Sequence, residues 1–104
     1  MSFGKTIADA RKRLLMSQKE LAEKIKKEDG TPISPQYLND IERDRRSPTS
    51  DHMIEQFAKV LDLDRDVLLF WAGKIPEEVK RGRVSEEKIV SAYRAFRKTL
   101  KGQK

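Results

Sequence analysis

Gln36, Asn39 and Asp40 lie within one short segment, and Arg43, Arg45 and Arg46 follow at once. Amides and a carboxylate on one helix face can pair with base edges, while clustered arginines can hold phosphate. A nucleic-acid duplex suits both halves of that chemistry. Gln36 comes first, because an amide can bond adenine bidentately through N6 and N7. Asp40, one turn later, can accept from a cytosine amino group, or can select by exclusion because its charge repels phosphate. Tyr37 and Asn39 are candidates for base or sugar contacts, and the three arginines for a clamp on the backbone. The competing reading is a solvated helix face followed by a basic loop.

These groups need a helix to present them. Ser34 is placed as an N-cap and Pro35 occupies the first helical position, where a missing N–H costs nothing. Both open the segment at about 34–44 and are counted with its contact residues. Leu38 and Ile41 form a narrow apolar stripe behind them. The helix before it starts with Ser17 and Glu20, a reciprocal Ser-x-x-Glu capping box. Leu21, Ala22 and Ile25 then recur at helical spacing.

Further helices surround this pair. Phe3, Ile7, Ala10 and Leu14 follow an amphipathic period. Ser47-Pro48-Thr49-Ser50 is a turn with two candidate N-caps, leading into Met53, Ile54, Phe57, Ala58 and Leu61. Asp64 caps a fifth helix, with Val67, Leu68 and Trp71 inward and Gly73 at its end. Pro76 opens a short helical turn at Glu77-Glu78-Val79, and residues 80–83 read as a linker. Ser85 begins a last helix, with Glu86 and Glu87 at its start and Arg97, Lys98 and Lys101 at its end, as the helix macrodipole favours. Along it Ile89, Ala92, Tyr93, Phe96 and Leu100 share a stripe that needs a partner to exclude water. The expectation is an all-α chain with a domain at 1–79 and a linker plus amphipathic helix at 80–104.

Composition sets bounds on function. The 104 residues are 37% hydrophobic and 38% charged, with a net charge of +6. A small core can form, and the charge favours a polyanionic partner, although an acidic membrane surface would fit it equally well. With no cysteine there is neither a disulfide nor a thiolate–zinc site. His52 is the single histidine, so no metal site is expected. No Ser-His-Asp set, phosphate-cradling glycine loop or HExxH helix is present, and catalytic and cofactor-binding residues are expected to be none. No secretory signal is visible at MSFGKTIADARKR, and no run approaches the ~20 apolar residues of a membrane span. The default is a cytoplasmic protein without membrane association.

QKELA, with Gln18 and Ala22, and ISPQYLNDIERDRRSP together resemble the lambda-repressor/Cro-type helix-turn-helix, the Xre family. The resemblance runs from about Phe3 to about Leu69. It implies a five-helix lambda-repressor-like DNA-binding domain whose second and third helices form the motif. It also implies a phosphate contact from Gln18, supported by the exposed N–H groups of a helix start. It further implies an ion pair between Arg11 of the first helix and Glu42 of the recognition helix, fixing the latter from behind. One departure stands out. Family members join the two motif helices by a tight glycine turn, whereas this chain has about six extra residues at 26–32. Asp29-Gly30-Thr31-Pro32 is turn chemistry, so an extended loop is expected rather than a longer helix. Lys26 or Lys27 there can add a phosphate contact, or the loop can be a tolerated insertion.

The function expected on these grounds is sequence-specific DNA binding by a dimeric transcriptional regulator, a repressor acting by operator occlusion. Two recognition helices on a two-fold axis would read a palindrome with half-sites about 34 Å apart. The last helix can supply the dimer contact or fold back on its own domain. The alternative is an interaction module that binds a protein partner, and an antitoxin combines the two roles.

Overall fold

The computed structural model describes residues 1–48 and 50–102. Among them are seven helices: α1 Phe3–Arg13, α2 Gln18–Lys24, α3 Pro35–Glu42, α4 Asp51–Leu61, α5 Arg65–Ala72, α6 Glu77–Arg81 and α7 Glu86–Lys101. The architecture is all-α, and no strand forms among the described residues.

Helix starts follow the capping residues. The Ser17 hydroxyl accepts from Glu20 N while the Glu20 side chain accepts from Ser17 N, completing the box. Ser34, Ser50, Asp64 and Ser85 each accept a first-turn backbone N–H with the side chain. Ser50 is therefore the cap of α4; Thr49, the neighbouring candidate, lies outside the described residues. Gly73 ends α5 with φ of 68°, a left-handed conformation that a Cβ would disfavour.

One core holds α1 to α5 together. Phe3, Ile7 and Ala10 of α1 meet Leu21 and Ala22 of α2, Leu38 and Ile41 of α3, and Ile54, Phe57 and Leu61 of α4. The Phe3 and Phe57 rings pack edge to face with centroids 5.9 Å apart. Three inward assignments are corrected. Leu14 forms the C-cap of α1, beyond the last turn that faces the core, and is 47% exposed. In α5 the buried pair is Leu68 and Leu69, while Val67 and Trp71 are 44% and 37% exposed. A helix of eight residues has room for one buried ridge, and the rotation of α5 on α1 and α4 chose adjacent leucines.

The insertion is a loop, and it is ordered by its own hydrogen bonds. Lys27 N donates to Thr31 O at 2.8 Å, Gly30 N to Lys27 O at 2.9 Å, and Ile33 N to Ile25 O at 2.9 Å. Together they make a miniature hairpin between two buried isoleucines, Ile25 and Ile33. At its tip the Asp29 carboxylate accepts from the Thr31 hydroxyl and backbone N–H, which holds its pKa below the ordinary carboxylate value. Gln56 of α4 grips the base: it accepts from Lys26 N at 2.7 Å and donates to Lys26 O at 2.8 Å.

The last two helices are attached differently. Arg65 donates to both Glu78 carboxylate oxygens at 2.8 and 2.9 Å, and Glu77 N donates to Asp51 Oδ2, tying α6 to α5 and α4. The ion pair raises the Arg65 pKa and lowers that of Glu78. Helix α7 buries no residue and meets α5 where Phe96 lies 6.1 Å from Phe70, centroid to centroid.

Candidate nucleic-acid interface

Helix α3 is fixed on its inner side before it offers anything outward. Leu38 and Ile41 are fully buried, one turn of core on an eight-residue helix. Burial of two aliphatic side chains supplies roughly 3–6 kcal/mol, little for a helix whose angle matters. Polar ties add the orientation. Arg11 Nε donates to Glu42 Oε2 at 2.7 Å and Nη2 to Glu42 Oε1 at 3.0 Å, a bidentate pair almost out of contact with water. The remaining guanidinium nitrogen, Nη1, donates to Met16 O at 2.9 Å, so α1, the α1–α2 turn and α3 share one cation.

A second tie lies at the end of α3. Asp44 has φ of 60°, which turns the chain back toward α1. Its carboxylate accepts from Gly4 N at 3.0 Å and from the Ser2 hydroxyl at 2.6 Å, adding negative charge at the start of α1. Gly4 makes the approach possible, since a Cβ there would stand 2.4 Å from Ile41 O and 2.5 Å from Glu42 O. Gly4 and Asp44 were not foreseen. A glycine in a helical run and an aspartate between arginines have no periodic signature, although Gly inside a first turn is a recognised sign of close packing.

Gln18 joins α2 to the same cluster. Its amide nitrogen donates to Glu42 Oε1 at 2.9 Å and to Asn39 Oδ1 at 3.1 Å. A carboxylate accepts only, so the Gln18 NH2 group must face Glu42, and Asn39 must then offer its carbonyl inward. The NH2 of Asn39 is left for an outside acceptor. In this arrangement Gln18 spends both side-chain hydrogens within the protein, and its capacity toward a phosphate lies in the backbone N–H groups at the start of α2.

The outer surface carries the remaining candidates. Gln36 is exposed and donates to Asp40 Oδ1 at 3.1 Å, one turn along. Arg45 Nη1 lies 3.6 Å from the same oxygen. Tyr37 is half-buried, with the Arg46 guanidinium carbon 4.3 Å from its ring centroid, a cation–π contact that restrains the arginine. Arg43 is the C-cap of α3, and its side chain is exposed. The Ser34 hydroxyl accepts from Tyr37 N at 3.0 Å and still has a proton to donate, while Pro35 stands exposed at the first helical position. Lys26 and Lys27, with Glu28 and Asp29, line a shallow groove shared with Tyr37, Ser50 and His52, which brings the insertion beside α3. Gln56, which anchors that insertion, could not have been found from its sequence position; its partner is thirty residues away.

Thus Gln36, Tyr37, Asn39, Asp40, Arg45 and Arg46 share one region, with Arg43 at its edge and Lys27 to one side. No group of three or more potential metal ligands occurs among the described residues. No described helix is long and apolar enough to cross a membrane.

A family model described as helix-turn-helix matches residues 7–68, more than half of the chain. A crystal structure of SinR in complex with DNA, described as the master regulator for biofilm formation, is similar at 33% identity. It covers 64% of this chain and 97% of that one, with a TM-score of 0.52. A SinR/SinI protein complex is similar at 28% identity, covering 97% of this chain and 93% of that chain, also with a TM-score of 0.52. No curated protein sequence gives a significant match.

Proposed function

The chain belongs to the helix-turn-helix family, in its lambda-repressor/Cro (Xre) type, and from that premise we propose that it is a dimeric repressor that reads a palindromic operator. DNA binding and transcription regulation follow from the family and from the likeness to a DNA-bound regulator. The observation that carries the site is the polarity of α3. Its inner face is buried and held by the Arg11–Glu42 pair, and its outer face presents Gln36, Asn39 and Asp40 beside Arg43, Arg45 and Arg46. A helix so fixed can enter a major groove with its N-terminal residues on base edges and the arginines on flanking phosphates.

Dimerisation is supported by the outer face of α5 and by α7. Val67, Phe70, Trp71, Ile89, Tyr93 and Phe96 remain between 37% and 48% exposed, a large apolar surface for one chain. One α3 reads only a few base pairs, so a two-fold partner supplies the rest of the site. A second reading, a protein partner on this same face, has its support in the likeness to a SinR/SinI complex over nearly the whole chain.

Selection from random duplex DNA tests the proposal. The expected product is a palindrome with half-sites about one helical turn apart. Arg45→Ala or Arg46→Ala should weaken binding to every sequence and reduce the log–log salt slope by about one. Failure to enrich any sequence would overturn the DNA-reading assignment and leave the protein-partner reading.

A further inference from the structure

Asp40 stands on the groove-facing side of α3, where an unpartnered carboxylate would repel phosphate. It is not unpartnered: one oxygen, Oδ1, receives Gln36 Nε2 at 3.1 Å and has Arg45 Nη1 at 3.6 Å. The backbone aims that arginine, because Arg45 N donates to Asp40 O at 2.8 Å and the chain turns back over the end of α3. A carboxylate accepts only, so the Gln36 amide must turn its nitrogen toward Asp40 and commit one of its two N–H groups there. One N–H and the carbonyl oxygen remain to face outward. Adenine offers N7 as acceptor and N6–H as donor in the major groove, which matches that pair. Guanine offers N7 and O6, two acceptors, and would require both N–H groups.

We propose that Asp40 is a positioning residue that fixes the Gln36 amide to read adenine and to exclude guanine, and that it contacts no base itself. The inference rests on α3 being the DNA-reading helix. Arg45 completes the device by holding a positive charge against Asp40, so a carboxylate can remain at a phosphate-lined rim.

The test is a base-preference measurement at every operator position, by competition among the four base pairs. It uses the full chain, Asp40→Ala, Asp40→Asn, Gln36→Ala and the Gln36→Ala/Asp40→Ala double variant. Asp40 is partly exposed within a helix, where alanine is the best helix former, and a thermal melt checks folding. In Asp40→Ala the adenine-over-guanine preference at one position per half-site should fall about tenfold, within the range one bidentate pair supplies. Asp40→Asn should keep most of it, since the asparagine carbonyl still accepts from Gln36. The double variant should match Gln36→Ala alone. Unchanged preference in Asp40→Ala would overturn the inference while leaving the DNA-reading assignment intact. So would a lost cytosine preference that persists in the Gln36→Ala background, which would make Asp40 a direct reader. If the unaltered chain selects no sequence, both the assignment and the inference fall.

Discussion

Helices α1 to α5 and helix α7 use the same local devices and reach opposite ends. α7 has a serine cap, two acidic residues in its first turn, lysines in its last and a continuous apolar stripe. Its sixteen residues make it the longest described helix, and none of them is buried. α3 is half that length, yet two of its residues are wholly inaccessible. Capping and charge placement decide whether a helix forms. Whether it acquires an inside depends on surfaces that the rest of the fold turns toward it.

The contrast should be largest for two phenylalanines. Phe57 is wholly buried against Phe3, so Phe57→Ala should cost about 3–5 kcal/mol and threaten folding. Phe96 is 47% exposed, and Phe96→Ala should change the melting of the isolated chain by under about 1 kcal/mol. Sedimentation equilibrium supplies the other half: Phe96→Ala should weaken self-association, whereas equal unfolding losses from the two variants would erase the distinction between the regions.

Within the folded domain, Glu42→Ala probes a buried charge instead of a buried ring. Removing one partner of such a pair costs ~3–5 kcal/mol. The lower end, about 3 kcal/mol, is expected, because Met16 O still accepts from the stranded guanidinium. Urea melts of Arg11→Ala, Glu42→Ala and the double variant should be strongly non-additive. Small additive losses would show that the pair does not hold α3.

The mildest effect belongs to α6, which an exposed ion pair, Arg65 with Glu78, ties to α5. The Glu78 pKa is lowered by Arg65, so the tie contributes fully at and above the ordinary carboxylate range. It is lost as pH falls through the lowered value, when the carboxylate takes up a proton. Amide exchange at Val79 and Lys80, corrected for its intrinsic pH dependence, should therefore speed up on acidification before the α1–α5 amides respond, and Glu78→Gln should remove that step. Protection that persists unchanged in Glu78→Gln would show that α6 is held by something else.

Much of the arrangement was legible in residue types. The Ser17–Glu20 box, Ser34-Pro35, Asp64, Gly73 and Ser85 mark helix ends by chemistry that acts within a few residues. Apolar spacing similarly identified most of the buried side chains of α1 to α4. Periodicity failed at boundaries and on a short helix. Leu14 continues the α1 stripe in sequence but falls on its C-cap, and α5 has too few turns for spacing to choose between Leu69 and Trp71. Pairing of Arg11 with Glu42 followed from family resemblance; neither composition nor spacing could have supplied it.

By itself, then, the sequence determined an all-helical chain, the positions of its caps and a basic exit after the third helix. These properties depend on neighbours three or four residues apart. Tertiary structure alone decided that Gly4 lets α1 touch the backbone of α3, that Asp44 returns to the start of α1, and that Gln56 fastens the inserted hairpin. It also decided how Gln18 and Glu42 turn the Asn39 amide. Each of these is a short-range contact between residues twenty or more positions apart. Hydrogen bonds and steric exclusion act over about 3 Å, so no pattern along the chain reveals them until folding brings the partners together.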